Sequence, residues 1–82
     1  MMKELDVREW IVTYLADILD MPVPEIRFDE TFMNYGLDSA DAVIIGGALE
    51  EQFDVEVDAT VFLRNETIDD LIDDLRRSEL LE

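Results

Sequence analysis

Apolar residues recur at helical spacing in three separate stretches of this 82-residue chain, and that period leaves little choice of secondary structure. From Leu5 to Leu19, Val7, Ile11, Tyr14, Leu15 and Ile18 follow i, i+4, i+7, i+8 and i+11, with Arg8, Glu9, Thr13 and Asp17 between them. This predicts an amphipathic helix with Trp10 packing at the edge of its stripe. Asp20 and Pro22 end it, because the residue before a proline is disfavoured in the helical region, and Pro24 opposes an early restart. Near the other end of the chain, Ile68, Leu71, Ile72 and Leu75 form a stripe behind Thr67, which with Asp70 approximates a capping box. Asp69 and Asp70 in the first turn and Arg76 and Arg77 in the last suit the helix macrodipole.

The third stretch, Ala40 to Phe53, follows Gly36-Leu37-Asp38-Ser39. Glycine permits a tight turn, Asp38 and Ser39 are both good N-caps, and the apolar run begins at once. Ser39 is therefore expected at the mouth of a helix with its hydroxyl exposed. A phosphate attached there would lie against unpaired N–H groups and the positive end of the macrodipole. Ala42, Ile45, Leu49 and Phe53 share the core face, whereas Val43, Ile44 and Gly47 lie on the opposite face, where a surface helix normally carries charge. So small a domain cannot easily bury a helix all round, so this face is expected to await a partner. Val43-Ile44-Ile45-Gly46-Gly47 has poor helix propensity, its two glycines costing about 1 kcal/mol each relative to alanine, so tertiary packing has to hold the helix. A buried strand over Ala42 to Ile45 would need a partner strand of comparable quality, which the sequence lacks. Gly46 is expected to leave volume beneath the helix, either filled by neighbours or open to a bound chain.

The connections complete the expected fold. Pro22 to Asp38 has no sustained period and exceeds the usual link between helices, so it is expected to pack over the core through Phe32, Tyr35 and Leu37. Val55 and Val57 alternate with acidic residues but have no strand to pair with, and are read as an extended connection. Asp58 then caps a short helix, Ala59 to Leu63, which tucks in Val61 and Phe62 before Arg64-Asn65 end it. The sum is one all-α domain over residues 1–82 with three longer helices, one short one and a long loop between the first two. Its core spans about residues 5–77, and the tail 78–82 is expected to fray, with Leu80 and Leu81 available to dock.

Charge and composition narrow the function classes. The chain has 22 acidic and 6 basic residues, a formal net charge of −16, and no cysteine or histidine. It should repel nucleic acid and anionic lipid and favour proteins with basic patches. Its apolar fraction of 49%, placed at helical spacing, argues against disorder. Without cysteine there are no disulfides or thiolates, and without histidine the commonest general base and metal ligand is missing. Carboxylates are too numerous for any pair to stand out as an acid and base. No calcium loop, phosphate-cradling glycine loop or Ser-His pairing is present, so no catalytic residue and no metal site is expected. No apolar run is long enough to cross a bilayer, and Met1-Met2-Lys3-Glu4-Leu5-Asp6 turns acidic where a signal peptide needs an apolar region, so the chain is expected to be cytoplasmic.

Thr31-Phe32-x-x-Tyr35-Gly36-Leu37-Asp38-Ser39-Ala40-Asp41, followed by Ala48-Leu49-Glu50-Glu51-x-Phe53, resembles the acyl carrier proteins of fatty-acid and polyketide synthesis. The family's Asp-Ser-Leu signature matches in its first two residues, and the likeness runs from about Val7 to Leu75. The resemblance implies an acyl-carrier-like four-helix bundle, monomeric and without catalytic activity of its own. It implies 4′-phosphopantetheine attached at Ser39 by a separate phosphopantetheinyl transferase, with Mg²⁺ needed only in that reaction, and Asp38 and Asp41 presenting the serine. The arm's thiol would carry acyl groups as thioesters to acyl-transferring or ketosynthase-type enzymes with basic docking patches. Leu37, Ala40, Val43, Ile44, Gly47, Glu50 and Glu51 would form the docking surface. Ala40 stands where the family usually has leucine, Ile44 where many fatty-acid carriers have glutamate, and Gly46-Gly47 where larger apolar residues are common. These departures point to a specialised stand-alone member, of a polyketide or hybrid pathway, rather than the housekeeping carrier. A peptidyl carrier is a second reading, although Leu37 leans towards acyl cargo. A non-modified acidic interaction module, in which Ser39 is only an N-cap, is a third.

Crowded carboxylates repel one another in the folded state, so salt should stabilise the fold by screening. The melting temperature is expected to rise between low and moderate ionic strength; a melt insensitive to salt would contradict this.

Overall fold

Helices α1 (Glu4–Leu19), α2 (Ser39–Phe53) and α3 (Ile68–Arg77) supply most of the core, and two 3₁₀ turns, Val23–Glu25 and Met33–Tyr35, shape the long connection between the first two. The computed structural model describes residues 2–58 and 60–82. No strand forms among the described residues, in keeping with an all-α fold, and Ala42 to Ile45 is helical. The radius of gyration is 11.6 Å, against about 12 Å expected for a compact chain of this length.

Val7, Ile11 and Leu15 of α1 are fully buried, as their spacing predicts, and Val12 and Ala16 join them. Ile18, expected in the same stripe, is instead 47% exposed. The helix stops one residue later, where Asp20 adopts a left-handed conformation and the Met21 amide folds back to donate to the Ala16 carbonyl at 3.0 Å. Leu19 and Met21 thereby cover that end of the core in place of Ile18. Trp10 packs at the edge of the stripe as expected, 5.1 Å from Tyr14 and edge-on to Phe53 of α2 at 6.1 Å between ring centres.

From α3, Ile68, Leu71, Ile72 and Leu75 are all buried. Thr67 caps this helix by accepting from the Asp70 amide at 3.0 Å. Arg8 of α1 reaches Asp69 at 2.9 Å, Glu4 pairs with Arg76, and the Arg8 guanidinium lies 4.6 Å above the Phe28 ring. Exposed ion pairs contribute little each, so their main effect is to set the register of α1 against α3 and the loop.

Two expectations need correction. The segment expected as a fourth, short helix forms turns at residues 60–63, and Ala59 lies outside the described residues. Val61 and Phe62 are nevertheless buried. Side-chain bonds do the work that a longer helix would do. Asp58 accepts from the Thr60 amide at 2.8 Å, and Asp74 of α3 accepts from Arg64 Nε and from Asn65 Nδ2, both at 2.7 Å. The tail, expected to fray, is docked. The Met2 amide donates to the Leu80 carbonyl at 2.9 Å, the Glu82 amide donates to the Met2 carbonyl at 2.8 Å, and Met2 and Leu81 are both buried. Burying these two apolar ends closes the core beyond residues 5–77.

Hydrogen bonds from Arg64, first, and then from Asn65 hold the Asp74 carboxyl down from 3.8 to about 2. A carboxylate depressed in the folded state contributes stability that is complete above its unfolded pKa and lost as pH falls through the folded one. Asp74→Asn is expected to cost about 1–2 kcal/mol near neutral pH. The difference from wild type should narrow as pH drops from 3.8 towards 2. Denaturant melts at several pH values check this, and a difference constant with pH would refute it.

Candidate functional site

The chain arrives at α2 through a glycine-dependent turn. Gly36 sits at φ 83°, a left-handed conformation that residues with a Cβ adopt at a cost, and its amide donates to the Met33 carbonyl at 2.9 Å. The loop before it is pinned to the start of α3, the Phe32 amide donating to the Glu66 carbonyl at 2.9 Å and the Asp69 amide to the Phe28 carbonyl at 3.0 Å. Phe32, Tyr35 and Leu37 pack against the core as the sequence predicts, with the Phe32 ring 5.6 Å from Phe62. The Tyr35 hydroxyl accepts from the Arg27 amide at 2.8 Å.

Asp38 is the N-cap and Ser39 the first helical residue. The Asp41 amide donates to the Asp38 carboxylate at 3.0 Å, and the Asp38 amide donates to the Asp41 carboxylate at 3.1 Å, closing a reciprocal capping box. The Asp41 amide, and then the Asp41 side chain and the Ala40 amide, hold the Asp38 carboxyl below its usual range. Ser39 is exposed, as expected. The expectation of unpaired amides at this helix mouth is only partly met, since Asp38 already takes the Asp41 amide.

A cavity of about 370 Å³ opens beside Ser39. Its wall includes Phe32, Leu37, Ala42, Phe62 and Leu63, with Met33 at the rim and Asn65 and Glu66 among its polar groups. An exposed hydroxyl next to an apolar groove suits a covalent arm that is partly apolar. Gly46, beneath which volume was expected to be either filled by neighbours or open to a bound chain, is buried within α2 and is not part of that wall.

The remaining residues singled out in the sequence divide into two groups. Ala40, Val43, Ile44 and Gly47 are exposed together along α2, and Glu51 is exposed beyond them. Glu50 is not available in the same way, since its carboxylate accepts from the Val57 amide at 3.1 Å. Leu37 lies in the groove wall rather than on the outer face. The wall contributed by Phe62, Leu63 and Asn65 was not recognisable as part of a site, because only the turns after Asp58 bring it alongside α2.

Comparison with known proteins defines the class. The phosphopantetheine attachment site family matches residues 9–75. The chain belongs to this family, that of the acyl carrier proteins, whose carrier domains hold covalently attached 4′-phosphopantetheine and work with synthase enzymes. The chain is 33% identical over 63 residues to Acyl carrier protein TtuC of Teredinibacter turnerae, spanning 77% of this chain and 72% of that protein. It is 39% identical over 59 residues to Acyl carrier protein 3 of Ralstonia nicotianae, at 71% and 68%. Another relative, Polyketide synthase 1 of Metarhizium album, is 27% identical over 80% of this chain, which spans only 3% of that protein. The solution structure of Asl1650, an acyl carrier protein from Anabaena with a variant phosphopantetheinylation-site sequence, superposes with a TM-score of 0.79 at 29% identity, covering 93% of this chain and 86% of that one. Among the described residues, no helix is long and apolar enough to cross a membrane.

The capping box anchors the site. Asp38→Ala is expected to destabilise the fold by about 1 kcal/mol, whereas Asp38→Asn, which keeps an acceptor, should cost much less. Urea denaturation checks the pair, and equal losses would refute the capping role.

Proposed function

We propose that the chain acts as a single carrier domain with 4′-phosphopantetheine on the Ser39 hydroxyl. On this arm it holds acyl intermediates as thioesters and delivers them to partner enzymes of polyketide or fatty-acid type in the cytoplasm. The observation that carries this reading is an exposed serine at the first position of α2, fixed by a capping box and adjoining an apolar groove. The chain has no histidine or cysteine to activate that serine, so the transferase must supply the base and the Mg²⁺. Asp38 and Asp41 spend one oxygen each on the capping box and present the hydroxyl at a set angle. Ala40 after Ser39 departs from the usual signature, and the Anabaena carrier, whose fold this chain shares, is likewise described as having a variant phosphopantetheinylation-site sequence.

When attached, the arm supplies a thiol for thioester exchange, and its flexible length raises the effective concentration of cargo at each partner. The protein's own residues do the rest. Phe32, Leu37, Phe62 and Leu63 offer an apolar bed beside the attachment point, and α2 presents its outer face to the enzymes. A polyketide-type pathway is favoured over housekeeping fatty-acid synthesis by Ile44, an apolar residue 61% exposed where many fatty-acid carriers have glutamate.

Incubation with coenzyme A, Mg²⁺ and a broad-specificity phosphopantetheinyl transferase is expected to raise the intact mass by one phosphopantetheine. Ser39→Ala should abolish the gain. A wild-type chain that gains no mass, or a Ser39→Ala chain that still does, would overturn the assignment.

A further inference from the structure

Among the described residues Asn65 is the one buried polar side chain, at 9% exposure. It follows the turns after Asp58 and borders the groove that opens beside Ser39. A buried side-chain amide has two donors and an acceptor to satisfy. Here Nδ2 donates to the Val61 carbonyl at 2.8 Å and to the Asp74 carboxylate at 2.7 Å. Both partners are acceptors, and Arg64 pairs with the same carboxylate, so the flipped side chain would set oxygen against oxygen twice. The orientation of Asn65 is thereby fixed by its surroundings.

That orientation leaves Oδ1 as the unused end of the group. Among the described residues no N–H or O–H donates to it, yet no side-chain oxygen or nitrogen sealed from solvent lacks a partner. Oδ1 is therefore reachable from outside the protein, and the open space that Asn65 borders is the groove. Much of the wall around it is apolar, through Phe32, Leu37, Ala42, Phe62 and Leu63. Asp38 and Glu66 border the groove too, but both are exposed to water and Asp38 is engaged in the capping box. Asn65 alone combines burial, a locked orientation and an unspent acceptor.

An occupant suited to this wall has an apolar body and an N–H or O–H to give. Amide groups laid against apolar side chains are costly unless each N–H finds an acceptor. The 4′-phosphopantetheine arm has two amide N–H groups separated by methylenes, whereas a saturated acyl chain has no donor at all. We propose that Asn65 Oδ1 is the acceptor that holds an amide N–H of the Ser39 arm in this groove. The proposal rests on the carrier reading of Ser39. It makes Asn65 a binding residue for the arm, oriented by Asp74 and Val61, and it gives the groove a polar point at a set place along its apolar wall.

The test uses the holo chain, loaded by a broad-specificity phosphopantetheinyl transferase from coenzyme A carrying ¹⁵N in both arm amides. The readout is amide hydrogen exchange by NMR. The net negative field of the protein slows exchange at both amides, so the quantity compared is the ratio between them. One amide is expected to exchange about two- to tenfold more slowly, relative to the other, than it does in coenzyme A. Its proton should show nuclear Overhauser contacts to the Asn65 side chain, a reading that holds whether or not any variant folds. Asn65→Leu, which keeps net charge and approximate volume, should return the ratio to that of coenzyme A while the protein amide spectrum stays folded. A wild-type ratio equal to that of coenzyme A overturns the proposal, as does a slowed amide without contact to Asn65 or one still slowed in folded Asn65→Leu. A wild-type chain that gains no phosphopantetheine removes the carrier reading itself, and so is distinguishable from failure of the Asn65 contact alone.

Discussion

The position of Ser39 depends on how α2 is held against the rest of the chain, and that hold is a narrow apolar seam. Ile45 and Leu49 are buried, Gly46 is buried between them, and Ala42 and Phe53 contribute partly. Full burial of each large aliphatic side chain stabilises by about 1.5–3 kcal/mol, against a helix whose β-branched residues and paired glycines are intrinsically unfavourable. The seam therefore stabilises α2 despite its composition. It also leaves the other side of α2 exposed, with Val43 and Ile44 on it.

Charge is distributed to the same end. Arg8, Arg64 and Arg76 are engaged with Asp69, Asp74 and Glu4, and these pairs lie on α1, α3 and the turns between. They set the register of the scaffold and leave α2 with no basic residue at all. The result is a molecule whose paired arginines serve the scaffold while unpaired negative charge faces outward near Ser39. A large excess of one sign strains a small fold through self-repulsion but speeds encounter with complementary partners.

The apolar groove beside Ser39 arises from the same scaffold. Its far wall is the segment after Asp58, which keeps Val61 and Phe62 inward through the Asp58, Arg64, Asn65 and Asp74 bonds rather than through a regular helix. One side of the groove is thus held by side chains and the other by a capped helix.

The sequence alone determined the helical period, the ends of α1 and α3, the start of α2 at Asp38-Ser39, the exposure of Ser39 and the apolar outer face of α2. All of these follow from local rules: capping chemistry, the conformational limits of proline and glycine, and spacing along a single helix. Tertiary structure alone decided the packing of Leu19 and Met21 in place of Ile18, the docking of Met2 against Leu81, the collapse of the short helix after Asp58 into turns, and the groove that unites Leu37, Ala42 and Phe62. The physical reason is range. A cap or a stripe is settled within four residues. Which of two neighbouring apolar side chains is buried, whether a tail docks, and where a cavity opens depend on surfaces brought together from distant parts of the chain, which no local pattern encodes.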